Sequence, residues 1–131
     1  MVTTIENEIV MTENNLEKYL DADNCPVRNV LDRIGDKWSV LIILLLEDAK
    51  TLRFNEIHKY IGTISQKMLT VTLKKLEADD LVKRTIYPQV PPKVEYNLTE
   101  RGQSLVPYIQ NLVQWANTNL EGIKQSRSRV Q

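Results

Sequence analysis

The chain has 131 residues, within the range of one domain, and its 42% hydrophobic and 26% charged residues place it among globular proteins rather than disordered chains. Seventeen basic residues balance seventeen acidic ones, so bulk charge draws the chain to neither nucleic acid nor an anionic membrane, and any DNA contact has to come from a local patch. A single cysteine and a single histidine exclude an intrachain disulfide and the zinc-finger ligand sets, and suit a reducing cytoplasm.

The first fifteen residues are acidic and mixed, without the basic start and apolar stretch of a signal peptide, and Val40 to Leu46 is too short to span a bilayer. Met1 to Glu13 reads as a mobile arm or an exchanged segment. A helix is expected from Asn14 or Asn15 with Leu16, Tyr19 and Leu20 on one side. Cys25-Pro26 opens the next helix, since proline is tolerated at the first helical position, and Val27, Val30, Leu31 and Ile34 recur at helical spacing up to Gly35. Asp36 caps a third helix whose apolar face is Trp38, Leu41, Ile42, Leu45 and Leu46, widened by Val40, Ile43 and Leu44, which assigns it to the core.

Thr51-Leu52-Arg53 predicts a very short strand, and Phe54, Ile57 and Ile61 mark a two-turn helix ending at Gly62. Ser65 is the expected N-cap of a helix to about Asp79, with Leu69, Leu73 and Leu76 on the packed face and Lys67, Thr70, Val71 and Lys74 opposite. Leu81 to Tyr87 and Lys93 to Leu98 predict a two-stranded hairpin with a proline-bearing tip at Pro88 to Pro92. Thr99 caps a last helix with a long apolar stripe, Leu105, Ile109, Leu112, Val113, Ala116 and Leu120, with Tyr108 and Trp115 beside it. After Gly122 the basic tail, with Lys124, Arg127 and Arg129, is expected to be frayed and solvated.

The expected fold is therefore mainly α with a small β-hairpin wing: a winged helix-turn-helix with terminal dimerisation helices. Its divisions are residues 1–24 as arm and first helix, 25–122 as the winged-helix domain with its dimerisation helix, and 123–131 as the tail. In this architecture the second helix of the helix-turn-helix enters the major groove of double-stranded DNA. Ser65, Gln66 and Lys67 stand at its N-terminus, where free backbone N–H groups and the dipole favour a phosphate. Lys67, Thr70 and Lys74 extend toward base edges or backbone, Gln66 suiting adenine and Lys67 guanine. Gln89 and Lys93 are placed by the wing beside minor-groove phosphates. The terminal stripe is longer than a small domain can cover, which predicts a homodimer.

The motifs Cys25-Pro26-Val27, Ile34-Gly35-Asp36-Lys37-Trp38, Arg53-Phe54-Asn55-Glu56-Ile57, Ile64-Ser65-Gln66-Lys67-Met68-Leu69-Thr70, Pro91-Pro92-Lys93-Val94-Glu95-Tyr96 and Leu98-Thr99-Glu100-Arg101-Gly102 follow one another in an order that resembles the HxlR-type winged-helix regulators, related in fold to MarR-type proteins. The resemblance runs from about Cys25 to Leu120. It implies a homodimer joined through its terminal helices on a palindromic operator, with Arg53 and the Ser65 to Lys74 face on DNA. Asp80 departs from the pattern, which often has glycine there; aspartate tolerates the left-handed conformation the turn needs.

Two readings of Cys25 stand side by side. The start of a helix favours a thiolate, and Arg28 one turn on adds to this, whereas Asp21 and Asp23 oppose it and a free cysteine often serves as a small buried hydrophobe. The resemblance adds that some members sense oxidants or electrophiles, such as quinones and aldehydes, through a cysteine at this position. His58 reads as a surface or packing residue, and no catalytic, metal-binding or cofactor-binding constellation accompanies either residue. Two alternatives remain: a winged-helix module that binds protein instead of DNA, and an enzyme built on Cys25, for which no activating base is in place.

Overall fold

The computed structural model describes residues 16–130, so the arm expected over residues 1–13 and the start of the first expected helix lie outside the described residues. The described residues divide into two compact units, one ending at Lys37 and the other beginning at Trp38.

In the first unit, the helix expected around Leu16, Tyr19 and Leu20 gives way at once to a turn, and all three side chains are exposed. The Asp21 carboxylate accepts from the backbone N–H groups of Asp23 (2.9 Å) and Asn24 (3.3 Å), a side-chain turn that competes with helix. Helix α1 (residues 27–34) is a π-helical turn, Val27–Leu31, continued by one α-turn, Asp32–Ile34. The Asn29 N–H donates to the Cys25 carbonyl at 2.8 Å, so Cys25 stands at the head of this helix as the proline after it implies.

In the second unit, α2 (Lys37–Ala49) buries Ser39, Ile42, Ile43 and Leu46. Leu41, expected on the core face, is exposed instead. A helix apolar nearly all round carries no pattern that fixes its rotation, and the small Ser39 side chain turns inward where a neighbour packs closely. Leu52 forms the expected short strand as a single bridge to Tyr96, its N–H donating to the Tyr96 carbonyl at 3.1 Å and its carbonyl accepting at 2.8 Å. Helices α3 (Phe54–Ile61) and α4 (Gln66–Ala78) follow, then strands β1 (Val82–Tyr87) and β2 (Lys93–Leu98), paired antiparallel from Val82 opposite Leu98 to Tyr87 opposite Lys93. The core gathers Ile42, Leu46, Ile57, Leu69, Leu73 and Leu76, all essentially inaccessible.

Helix α5 (Glu100–Val130) corrects the expectation of a frayed tail from residue 123: the chain stays helical to Val130. Arg127 and Arg129 in the last turn complement the helix dipole, and the hydroxyls of Ser126 and Ser128 donate to the carbonyls of Gly122 and Gln125 within the helix. Of the stripe expected on this helix, Ile109 is buried and Leu105 half-buried, joined by Val106; Leu112, Val113 and Leu120, with Tyr108 and Trp115 beside them, are exposed. No described helix is long and apolar enough to cross a membrane.

Candidate nucleic-acid interface

The helix-turn-helix is built by local chemistry at each joint. Arg53 is the residue before α3, and its backbone N–H donates to the Glu56 carboxylate at 2.9 Å, satisfying one of the donors that a helix start leaves free. At the other end Gly62 adopts φ +76, a left-handed conformation that a side chain would strain, and its N–H donates to the His58 carbonyl at 2.9 Å. His58 also reaches forward, its Nε2 donating to the Ile64 carbonyl at 2.9 Å. This lone histidine thus clamps the turn that sets the angle between α3 and α4.

Ser65 caps α4 as expected, its hydroxyl oxygen accepting from the Met68 N–H at 3.0 Å. The hydroxyl hydrogen stays available to a phosphate. No acidic residue occupies the first turn of α4, so the partial positive charge of the helix start is uncompensated. Leu69, Thr72, Leu73 and Leu76 are buried, and Gln66, Lys67, Val71 and Lys74 face outward. Among the described residues neither Lys67 nor Lys74 makes an ion pair. Thr70 is more restricted than its position on the helix implies: its hydroxyl donates to the Gln66 carbonyl at 2.9 Å, which leaves its methyl to the surface.

The turn from α4 into the wing follows from Asp80. Its φ of +57 is the left-handed conformation expected there, and the Asp80 and Leu81 N–H groups donate back to the carbonyls of Glu77 (3.0 Å) and Leu76 (2.9 Å). Thr99 and Arg101 fasten the start of α5 to this same turn. The Thr99 hydroxyl donates to the Asp80 carbonyl at 2.6 Å and accepts from the Gly102 N–H at 3.0 Å, while Arg101 donates to the Asp79 carbonyl at 3.1 Å. A Cβ on Gly102 would overlap the Leu81 carbonyl oxygen, so the approach of α5 to the wing requires glycine.

On the wing, Gln89 is exposed at the tip, whereas Lys93 is engaged within the hairpin. Its ammonium lies 3.6 Å from a Glu95 carboxylate oxygen and 5.1 Å from the centre of the Tyr87 ring. The Tyr87 phenol also hydrogen-bonds to Glu95, which raises its pKa above that of a free tyrosine. Arg84, which with Lys83 and Lys93 flanks the wing loop in the sequence but was not expected to contact DNA itself, lines a cleft with Lys74, Thr70, Glu77, Phe54, Leu73 and Tyr96. The signal was the pairing of Arg84 with Tyr96 across the hairpin, which places Arg84 over the strand nearest α3 and cannot be read without the register.

Cys25 is buried, at 3% exposure. Its N–H donates to the Asp21 carbonyl at 2.9 Å, and the Arg28 guanidinium donates to the carbonyls of Leu20 (2.6 Å) and Tyr19 (3.4 Å).

Residues 33–124 match the family described as HxlR-like helix-turn-helix. The chain is 46% identical over 102 residues to an uncharacterized HTH-type transcriptional regulator, BH0655 of Halalkalibacterium halodurans, covering 78% of this chain and 90% of that protein. It is also similar to the solved redox regulator HypR in its reduced form, with a TM-score of 0.71 and 42% identity over 76% of this chain and 98% of HypR. The reduced transcriptional regulator YodB from B. subtilis matches with a TM-score of 0.63 and 41% identity, over 71% of this chain and 91% of YodB. The order of helices, the capped α4 and the paired wing are those of a winged helix-turn-helix, and the chain belongs to the HxlR-like family of DNA-binding transcriptional regulators, whose role is regulatory and not enzymatic.

Proposed function

We propose that the chain acts in the cytoplasm as a homodimer that binds a palindromic operator, each copy placing α4 in one major groove. The observation that carries this is the division of α4 into a buried apolar face and an outward face bearing Gln66, Lys67 and Lys74, free of acidic residues in its first turn. Ser65 and the free N–H groups at the helix start hold a phosphate, and Arg53, Thr70, Gln89 and Lys93 supply flanking contacts. The dimer is supported by the second half of α5, where Leu112 (68%) and Trp115 (61%) are too exposed for a chain that acts alone.

The test is a salt titration of binding to an operator fragment. Lys67→Ala with Lys74→Ala is expected to weaken binding and to lower the slope of log K against log salt by about 0.9 for each phosphate contact removed. Unchanged affinity and slope would remove this placement of the DNA face. A stable protein partner with no DNA affinity even at low salt would favour a protein-binding module, a reading that the neutral net charge keeps open.

Cys25 is the proposed input, acting on oxidants or electrophiles. The reading is supported by two redox-linked relatives, HypR, a redox regulator solved in both oxidation states, and YodB, solved reduced and diamide-treated. With no second cysteine in the chain, oxidation ends in a sulfenic acid, a mixed disulfide with a small thiol or a bridge between subunits; a quinone would instead add to the sulfur. Burial of the thiol makes the reaction wait on local opening of the chain. A change in DNA affinity on treatment with quinone or diamide, lost in Cys25→Ser, is expected; the same change in Cys25→Ser would assign the input elsewhere.

A further inference from the structure

We propose that Val71 determines specificity by contacting the 5-methyl group of a thymine in each half-site. The inference rests on the reading of α4 as the helix that enters the major groove. Taking about 100° per residue, the direction opposite the buried Leu69, Thr72, Leu73 and Leu76 falls among Lys67, Val71 and Lys74. Val71 is 52% exposed there, so much of its apolar surface is left outside the core. A β-branched side chain at an exposed helical position also supports the helix less well than alanine, lysine or glutamate. Neither packing nor helix formation accounts for a valine at the centre of this face.

Its surroundings point to a base edge. Thr70 beside it has its hydroxyl occupied by the Gln66 carbonyl, so the middle of the face presents methyl groups, bounded by Lys67 one turn before and Lys74 one turn after. In the major groove thymine is the base that offers a methyl group, and small apolar side chains are its natural partners. The four steps from Lys67 to Val71 rise about 6 Å, close to two base steps, which sets the thymine within about two pairs of the position that Lys67 engages. Val71 with the flanking Met68 makes a patch far smaller than the roughly 800 Å² per side that a protein partner covers, and it is bordered by Lys67 and Lys74, which make no ion pair among the described residues.

The experiment selects a duplex from a random-sequence pool with the full-length protein, then replaces each thymine singly by deoxyuridine, which removes only the methyl. Wild-type protein is expected to lose about fourfold in affinity per half-site at one thymine position, the effect of exposing one buried methyl. Val71→Ala is expected to be indifferent to that replacement while keeping the salt dependence of wild type, and Val71→Ile to retain the sensitivity. A wild-type protein indifferent to every uracil, or a Val71→Ala variant that keeps the loss, would overturn the assignment and leave the DNA reading intact. A pool from which no duplex is enriched would overturn both.

Discussion

Asp80 holds a backbone conformation that costs an ordinary residue about 1–2 kcal/mol, and it does so at the junction of the recognition helix with the wing. Asp80→Val is expected to lower stability by about 1–2 kcal/mol in urea denaturation at fixed protein concentration, and Asp80→Gly to leave it nearly unchanged. Equal effects of the two would show that the strain is relieved in solution. Asp21 makes a prediction in pH. The Asn24 side chain, then the N–H groups of Asp23 and Asn24, hold its carboxyl below the ordinary aspartate range. The turn that leads into Cys25 is thus fully stabilised above that range and loosens as the pH falls through the lowered value. A carbon NMR titration of the Asp21 carboxyl should show a depressed midpoint, and an ordinary midpoint would mean that the turn is open in solution. Sequence sufficed for the conformation of Asp80 and for the caps at Ser65 and Thr99, because the N–H groups that those hydroxyls accept lie three residues on. It left unread the engagement of Lys93, whose contact with the Tyr87 ring is chosen by cross-strand register.

At the scale of elements, α5 has two halves with different obligations. Gly102, Val106 and Ile109 are buried within the chain, and Leu112, Val113, Trp115 and Leu120 are exposed, the surface that the proposed dimer would cover. Leu112→Glu with Trp115→Glu is expected to give a folded monomer by light scattering at micromolar concentration and to weaken operator binding. A persistent dimer would move the interface elsewhere. The periodicity of the stripe was legible, but one continuous apolar pattern does not mark where burial within the chain ends, so the division at Ile109 was not. The rotation of α2 was likewise hidden, because leucines and isoleucines on every side of it mark no preferred face.

At the scale of the molecule, zero net charge and the cationic outward face of α4 coexist because no acidic residue lies in the first turn of that helix. The fold was legible as an order of elements, since each wears its own cap or turn signal, whereas the cleft that joins Arg84 to Lys74 exists only once strand and helix have met. Gly102→Ala tests the closest of these meetings. Its methyl would displace the Leu81 carbonyl, at an expected cost of about 1–3 kcal/mol, seen as a lower urea midpoint together with weaker DNA binding. Full stability would mean that α5 sits farther from the wing than described.

That close contact, with the bonds from Thr99 and Arg101, welds the start of α5 to the turn between recognition helix and wing. In the proposed dimer, each α5 is then a lever arm whose handle is the partner and whose working end is the reading head. A helix of 31 residues is about 46 Å long, so tilting it by about 5° against its partner carries the far end through about 4 Å, roughly one base-pair step. A disturbance too slight to alter the fold of either copy is therefore enough to put the two recognition helices out of step with successive grooves.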